Sequence, residues 1–140
     1  MSVKQISVFI ENKKGKLAEA TRYIADHHIN LRALSIADTQ DFGILRIICE
    51  EPQAAVTALQ EGGYITTVTD VLAAAITDEP GSLAAILEVL SEEDVVVEYT
   101  YAFLSDKGGA YMIFRVDDNQ KAAAALAGAG IKTANQEEMF

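Results

Sequence analysis

The segment Gln5-Ile6-Ser7-Val8-Phe9-Ile10 alternates with a period of two and sets Ile6, Val8 and Ile10 on one face of a strand. After a glycine turn the period changes. From Lys16, the positions Leu17, Ala20, Thr21, Ile24 and His28 follow the spacing of one helical face. Ile29 to Asp38 and Phe42 to Cys49 read as two strands joined by Thr39-Gln40-Asp41, a connection short enough for an antiparallel hairpin. Pro52 suits the first turn of a second helix, which carries Val56 and Leu59 and stops at Gly62-Gly63. Tyr64 to Val68 supplies a closing strand.

The same script then repeats. A shift of 66 residues, taken without a gap, places Ile10 on Ile76, Gly15 on Gly81, Leu17 on Leu83, Gly43 on Gly109, Ile47 on Ile113, Gly62 on Gly128 and Ile65 on Ile131. The second helix face is cleaner, with Leu83, Ile86, Leu87 and Leu90. The hairpin counterpart is Val95 to Leu104 and Ala110 to Val116, connected through Ser105-Asp106-Lys107-Gly108-Gly109. Asp117-Asp118-Asn119 caps an Ala-rich helix that ends near Gly128-Ala129-Gly130, and Ile131-Lys132-Thr133 closes the unit.

The order is therefore β-α-β-β-α-β, twice. This predicts an α+β protein of two tandem ferredoxin-like βαββαβ units, residues 1–70 and 71–140, each an antiparallel sheet with both helices on one face. The strands are apolar on more than one face, since Phe9, Ile44 and Ile48 alternate with Ile10, Leu45 and Ile47. Something else must cover the second face, so two sheets are expected to associate within the chain and between chains.

Composition narrows the function. Half of the 140 residues are hydrophobic and 23% are charged, as in ordinary globular proteins. The formal charge is −10, which repels rather than neutralises nucleic-acid phosphates. Residues 1–70 carry seven basic and nine acidic side chains, against four and twelve in 71–140, so most of that charge lies in the second repeat. The single cysteine, Cys49, sits in an apolar run and reads as a small buried hydrophobe. No apolar run approaches the ~18 residues of a membrane span, and the N-terminus has no secretory pattern, so the expected location is the cytoplasm.

Enzyme signatures are missing from the sequence: no G-x-S-x-G, C-x-x-C, H-E-x-x-H, phosphate loop or dinucleotide fingerprint. Neighbouring His27 and His28 diverge by about 100° on a helix and read as structural or surface residues. The run Glu92-Glu93-Asp94 reads as a solvated helix end, and Tyr99, Tyr101 and Phe103 as a packing face. No catalytic residue, metal or cofactor is expected. What remains is the turn before the first helix of each unit, Asn12-Lys13-Lys14-Gly15-Lys16-Leu17 and Asp78-Glu79-Pro80-Gly81-Ser82-Leu83. Glycine there lets a ligand approach the main chain, and the helix start presents unpaired N–H groups suited to a small carboxylate. A plain turn is the alternative reading.

The second turn, with its Leu-bearing helix and the strand opening Val95-Val96-Val97, resembles the D-x-P-G-x-L turn of an ACT domain. The first matches through Asn12, Gly15, Lys16, Leu17 and the strand opening Ile29-Asn30-Leu31, and the resemblance covers nearly the whole chain. It implies regulatory domains of amino-acid metabolism that pair side by side into one sheet and bind an amino acid between paired domains. The glycine turn of one domain and the second strand of its partner would contribute. The implied binding residues are Asn12, Lys14, Gly15, Lys16, Leu17, Asn30 and Leu31, with Asp78, Pro80, Gly81, Ser82, Leu83 and Val96 in the second repeat. Asn12 or Asp78 would contact the ligand's ammonium, and Asn30 would reach in through its amide. Val96 has no polar side chain, so only one of two sites is equipped in the usual way. Lys14 and Asn12 depart from the common proline and aspartate, which makes the first turn more basic. A homodimer sensing an amino acid is thus expected, without nucleic-acid or membrane partners. A regulatory subunit acting on an acetolactate-synthase-like enzyme and a small enzyme on a ferredoxin-like scaffold are the alternatives.

Overall fold

The computed structural model describes residues 2–38, 41–105 and 109–140. The predicted connecting residues Thr39, Gln40, Asp106, Lys107 and Gly108 lie outside them. Among the described residues the order is β1 (Val3–Glu11), α1 (Lys16–Asp26), β2 (Leu31–Asp38), β3 (Phe42–Cys49), α2 (Pro52–Glu61) and β4 (Ile65–Ile76). Then come α3 (Ser82–Glu92), β5 (Val97–Leu104), β6 (Ala110–Val116), α4 (Asn119–Gly128), β7 (Thr133–Ala134) and α5 (Gln136–Met139). The chain divides into two compact units, Lys4–Thr69 and Asp70–Phe140, the latter joined by Met1–Val3.

In the first unit β3 pairs antiparallel with β1 and β2, setting Ile6 and Leu34 opposite Ile47 and setting Val8 and Ile36 opposite Leu45. Opposed residues share a face, so Ile6, Val8 and Ile10 join Leu45, Ile47 and Cys49 beneath the helices. Ala20 and Ile24 of α1 and Ala55 and Leu59 of α2 complete that core. The second unit repeats it: β6 pairs with β4 and β5, β7 pairs with β4, and Leu72, Ala74, Phe114 and Val116 pack against Ile86, Leu90, Ala122 and Leu126. The two long helices of each unit therefore lie on one face of its antiparallel strands.

Three expectations need correction. The repeat is not gapless: Ile6 opposes Ile47 in the first unit, whereas Leu72 opposes Phe114 in the second. The shift is thus 66 residues through the second strand of each unit and 67 beyond it. Asp38 pairs with Gly43 but Leu104 with Ala110, so the second hairpin connection is one residue longer. The matches of Gly43 with Gly109, Ile47 with Ile113, Gly62 with Gly128 and Ile65 with Ile131 do not mark equivalent sites. Gly63 and Gly130, both with positive φ, do.

Second, the closing strand of one repeat and the opening strand of the next are one twelve-residue strand, β4. No glycine or proline interrupts Ile65 to Ile76, and β-branched residues fill its first five positions. The matching strand at the C-terminus keeps only Thr133–Ala134. It is followed by α5, where Asn135 and Glu138 form a reciprocal capping box. Phe140 then meets Phe103 edge-on at 5.8 Å, and Met139 is fully buried. Phe103 opposes Tyr111 on the side of the sheet away from α3 and α4, so the chain's own end covers part of that face. On the same side of the first unit, Phe9 and Phe42 are 38% and 54% exposed.

Third, His28 does not continue the α1 face. It adopts φ 59 just past the helix, with its N–H bonded to the Ala25 carbonyl and that of Ile29 to the Ile24 carbonyl. This is the Schellman ending. Gly63, Asp94 and Gly130 close the other three long helices in the same way, each followed by an apolar residue on the core, Tyr64, Val95 and Ile131. Of the predicted α1 face only Ala20 and Ile24 are buried; Leu17 is 40% exposed.

Candidate functional site

Gly15 and Gly81 each stand immediately before a helix, with φ 84 and 87, in the left-handed region that glycine occupies without strain. Their carbonyls accept the first intrahelical bonds, from Glu19 N–H and Ala85 N–H, both at 2.9 Å. Lys16 N–H turns back to the Lys13 carbonyl and Ser82 N–H to that of Glu79. The next N–H groups, of Leu17 and Ala18 and of Leu83 and Ala84, have no intrahelical partner. Neither helix start has a side-chain cap among the described residues. A Cβ placed on either glycine meets no heavy atom within 4 Å, so the space before both turns is open.

The two turns differ in charge and internal bonding. In the first, Lys13 pairs with Glu11 at 3.0 Å and holds that carboxyl below its ordinary pKa, with Lys16 adding to the effect. Lys16 lies 3.6 Å from Glu19, while Asn12 and Lys14 are exposed. In the second, the Ser82 hydroxyl accepts from both the N–H and the hydroxyl of Thr77 at 3.1 Å, knitting the turn to the end of β4. Asp78 and Pro80 are exposed beside it.

The second-strand residues lie elsewhere in their units. Helix α1, eleven residues and therefore about 16 Å long, separates Gly15 from Asn30. Asn30 is exposed on a cavity of about 170 Å³ shared with His27, His28, Cys49 and Glu50. Val96 is 59% exposed, and Asp117 holds its main chain on both sides, accepting from its N–H and donating to its carbonyl. Leu31 and Leu83 pack against the cores of their units rather than facing outward. One unit by itself therefore does not bring its glycine turn and its second strand together.

The remaining candidates fall into place as structural residues. His27 stacks on Tyr23 at 4.1 Å, with Nδ1 2.8 Å from the Tyr23 carbonyl. Cys49 is 2% exposed, and burial pushes its thiol pKa up. Tyr99 and Tyr101 stack at 6.4 Å. Among the described residues no three His, Cys, Asp or Glu side chains are grouped to hold a metal ion, and no helix is long and apolar enough to cross a membrane.

The sequence reading missed a cavity of about 230 Å³ in the first unit, bounded by the end of β1, by Lys16 and Glu19 of α1 and by Gly62-Gly63-Tyr64. The double glycine was visible as a helix stop, but not as the wall of a recess.

A family model described as an ACT domain pair matches residues 1–139. The chain belongs to that family. Among solved structures, this ACT domain pair is 38% identical to protein BT0572 from Bacteroides thetaiotaomicron, with a TM-score of 0.87 over 96% of this chain and 92% of that one. It also shares its fold with the regulatory subunits of aspartate kinase from Thermus thermophilus and Thermus flavus. Both are 15% identical, with TM-scores of 0.64 and 0.63; coverage is 91% of this chain and 90% of the first, and 90% and 91% for the second. Among curated proteins, none matches the chain.

Proposed function

We propose that this ACT domain pair is a non-catalytic regulatory protein of the cytoplasm, built of ACT domains 1–70 and 71–140, that binds a small amino acid between paired ACT domains and acts as a homodimer. The observation that carries the reading is the recurrence, in both units, of a left-handed glycine before an uncapped helix with open space in front of it. Such a main chain offers N–H donors and a partial positive charge to a carboxylate. In this reading Asn12, Lys14, Gly15, Lys16 and Leu17 line one site and Asp78, Pro80, Gly81, Ser82 and Leu83 the other. Asn30, Leu31 and Val96 come from a paired domain, in keeping with their distance from the turns of their own units. The ligand regulates by binding one arrangement of domains better than another.

Thermal denaturation against the twenty amino acids tests this. A specific ligand at 100 times its dissociation constant adds about 2.7 kcal/mol of stability. No stabilisation by any of them contradicts the reading. Gly81→Val places a β-branched residue at φ 87, and loss of ligand stabilisation in a variant that still folds is the expected outcome.

A second reading, a regulatory subunit acting on a separate biosynthetic enzyme, is favoured by one observation. Leu34 and Ile36 on β2 are each 48% exposed, two apolar residues side by side on one face of the edge strand of the first unit. Solved neighbours named as regulatory subunits of aspartate kinase lend this reading its analogy. Affinity capture with the full chain that returns no biosynthetic enzyme removes it.

A further inference from the structure

The two long helices of the second unit leave between them a groove of about 470 Å³, lined on its apolar part by Val89, Ala124, Ala125 and Ala129. In the first unit the same place is filled from within. There the Tyr23 ring lies between α1 and α2, donates its hydroxyl to the Ala58 carbonyl and meets Tyr64 at 5.3 Å, while Gly62 leaves it room. The second unit keeps the frame without the ring: Val89 stands where Tyr23 does, Ala125 where Ala58 does and Ala129 where Gly62 does. The Ala125 carbonyl accepts the Ala129 N–H at 3.2 Å, as that of Ala58 accepts the Gly62 N–H, and its second lone pair is the counterpart of the one that receives the Tyr23 phenol.

Charge marks the end of the groove near the last turn of α3. Glu92 and Glu93 line it there, both exposed and neither in an ion pair among the described residues. Lys121, also at the groove, turns its ammonium to the Asp94 carbonyl at 3.4 Å. With four basic and twelve acidic side chains in residues 71–140, the surrounding field attracts a basic partner. It disfavours a second copy of this chain on this face, since that copy also carries −10.

We infer that the groove between α3 and α4 is a docking site for another protein, one that presents a tyrosine flanked by Lys or Arg side chains. The ring takes the place that Tyr23 fills in the first unit, its phenol donates to the Ala125 carbonyl, and the flanking cations pair with Glu92 and Glu93. A buried aromatic anchor rimmed by charge pairs is how interfaces concentrate their binding energy. The surface is separate from both glycine turns. Gly81 precedes the first residue of α3, about 16 Å along the helix from Glu92.

The test is an amide ¹H–¹⁵N titration of the full chain with the synthetic peptide acetyl-Arg-Ala-Tyr-Ala-Arg-amide, beside one with Ala for Tyr and one with Glu for both Arg. The expected result is shifts confined to residues 89–93 and 121–129, with each control peptide binding at least about tenfold more weakly. Val89→Tyr combined with Ala129→Gly refills the groove from within and should abolish binding. Glu92→Gln combined with Glu93→Gln, at exposed positions, should weaken binding about tenfold at unchanged melting temperature. Absence of binding, shifts elsewhere in the chain, equal binding of the Ala-for-Tyr peptide, or undiminished binding in the Glu92→Gln, Glu93→Gln variant overturns the inference. So does self-association of the unaltered chain, followed by sedimentation, that the refilled variant loses, because the groove would then be an interface between copies.

Discussion

The helix pairs of the two units carry the same fold with different fillings. In the first, the Tyr23 ring lies between α1 and α2, donates its hydroxyl to the Ala58 carbonyl, and is flanked by His27 and by Tyr64 at 5.3 Å. It fits because Gly62 has no side chain: a Cβ there stands 2.4 Å from the ring. In the second unit Tyr23 becomes Val89 and Gly62 becomes Ala129, and the helices leave a groove of about 470 Å³ lined by Val89, Lys121, Ala125 and Ala129. A glycine at a helix end is thus a packing requirement in one copy and dispensable in the other. Conformation does not decide it, since Gly62 has an ordinary φ of −82.

The largest effect should follow from breaking this contrast. Gly62→Ala overpacks the Tyr23 ring and is expected to cost about 1–3 kcal/mol in denaturant unfolding. Tyr23→Val combined with Gly62→Ala copies the second unit. The double variant should be more stable than the sum of the single losses by at least about 0.5 kcal/mol, because the clash disappears with the ring. Strict additivity would show that Tyr23 is not what excludes a side chain at position 62.

The helix starts sharpen the comparison at a smaller scale. The Asp118 side chain accepts from Lys121 N–H and caps α4, whereas Glu51, at the same place before α2, makes no such bond and is followed by Pro52. Asp118→Ala should therefore cost about 1 kcal/mol and Glu51→Ala close to nothing. Equal losses would contradict the assignment of the cap.

Effects of about 1 kcal/mol or less belong to the helix ends. His28 and Asp94 occupy the left-handed position that Gly63 and Gly130 hold in the other helices. His28→Gly and Asp94→Gly should each raise stability by about 0.5 kcal/mol, and Gly63→Ala should lower it by about 1 kcal/mol. Melting temperatures of the three variants check the signs.

Much of this was legible in the sequence. Period two identified Ile6, Val8 and Ile10, period 3.6 identified Ile86 and Leu90, and both glycine turns stood out because they recur. The register change did not. In β3, Ile44, Leu45, Ile47 and Ile48 are apolar on both faces, so shifts of 66 and 67 both align hydrophobic positions. Only pairing partners distinguish them. The left-handed His28 was hidden because histidine gives no turn signal, while Asn135-Gln136-Glu137-Glu138 did carry a capping-box signal that went unread. The recess around Lys16 and Tyr64 joins residues 9–19 to the distant turn at residues 62–64, which no local pattern can bring together.

The central claim is that exposed main-chain amides after the glycine turns receive a small amino acid. Hydrogen exchange at the amides of Leu17, Ala18, Leu83 and Ala84, measured with and without the amino acid that most raises the melting temperature, addresses it directly. The account predicts rapid exchange in the free protein and marked slowing at one turn or both when the ligand is bound. Slowing elsewhere in the chain, with all four amides unchanged, would contradict it.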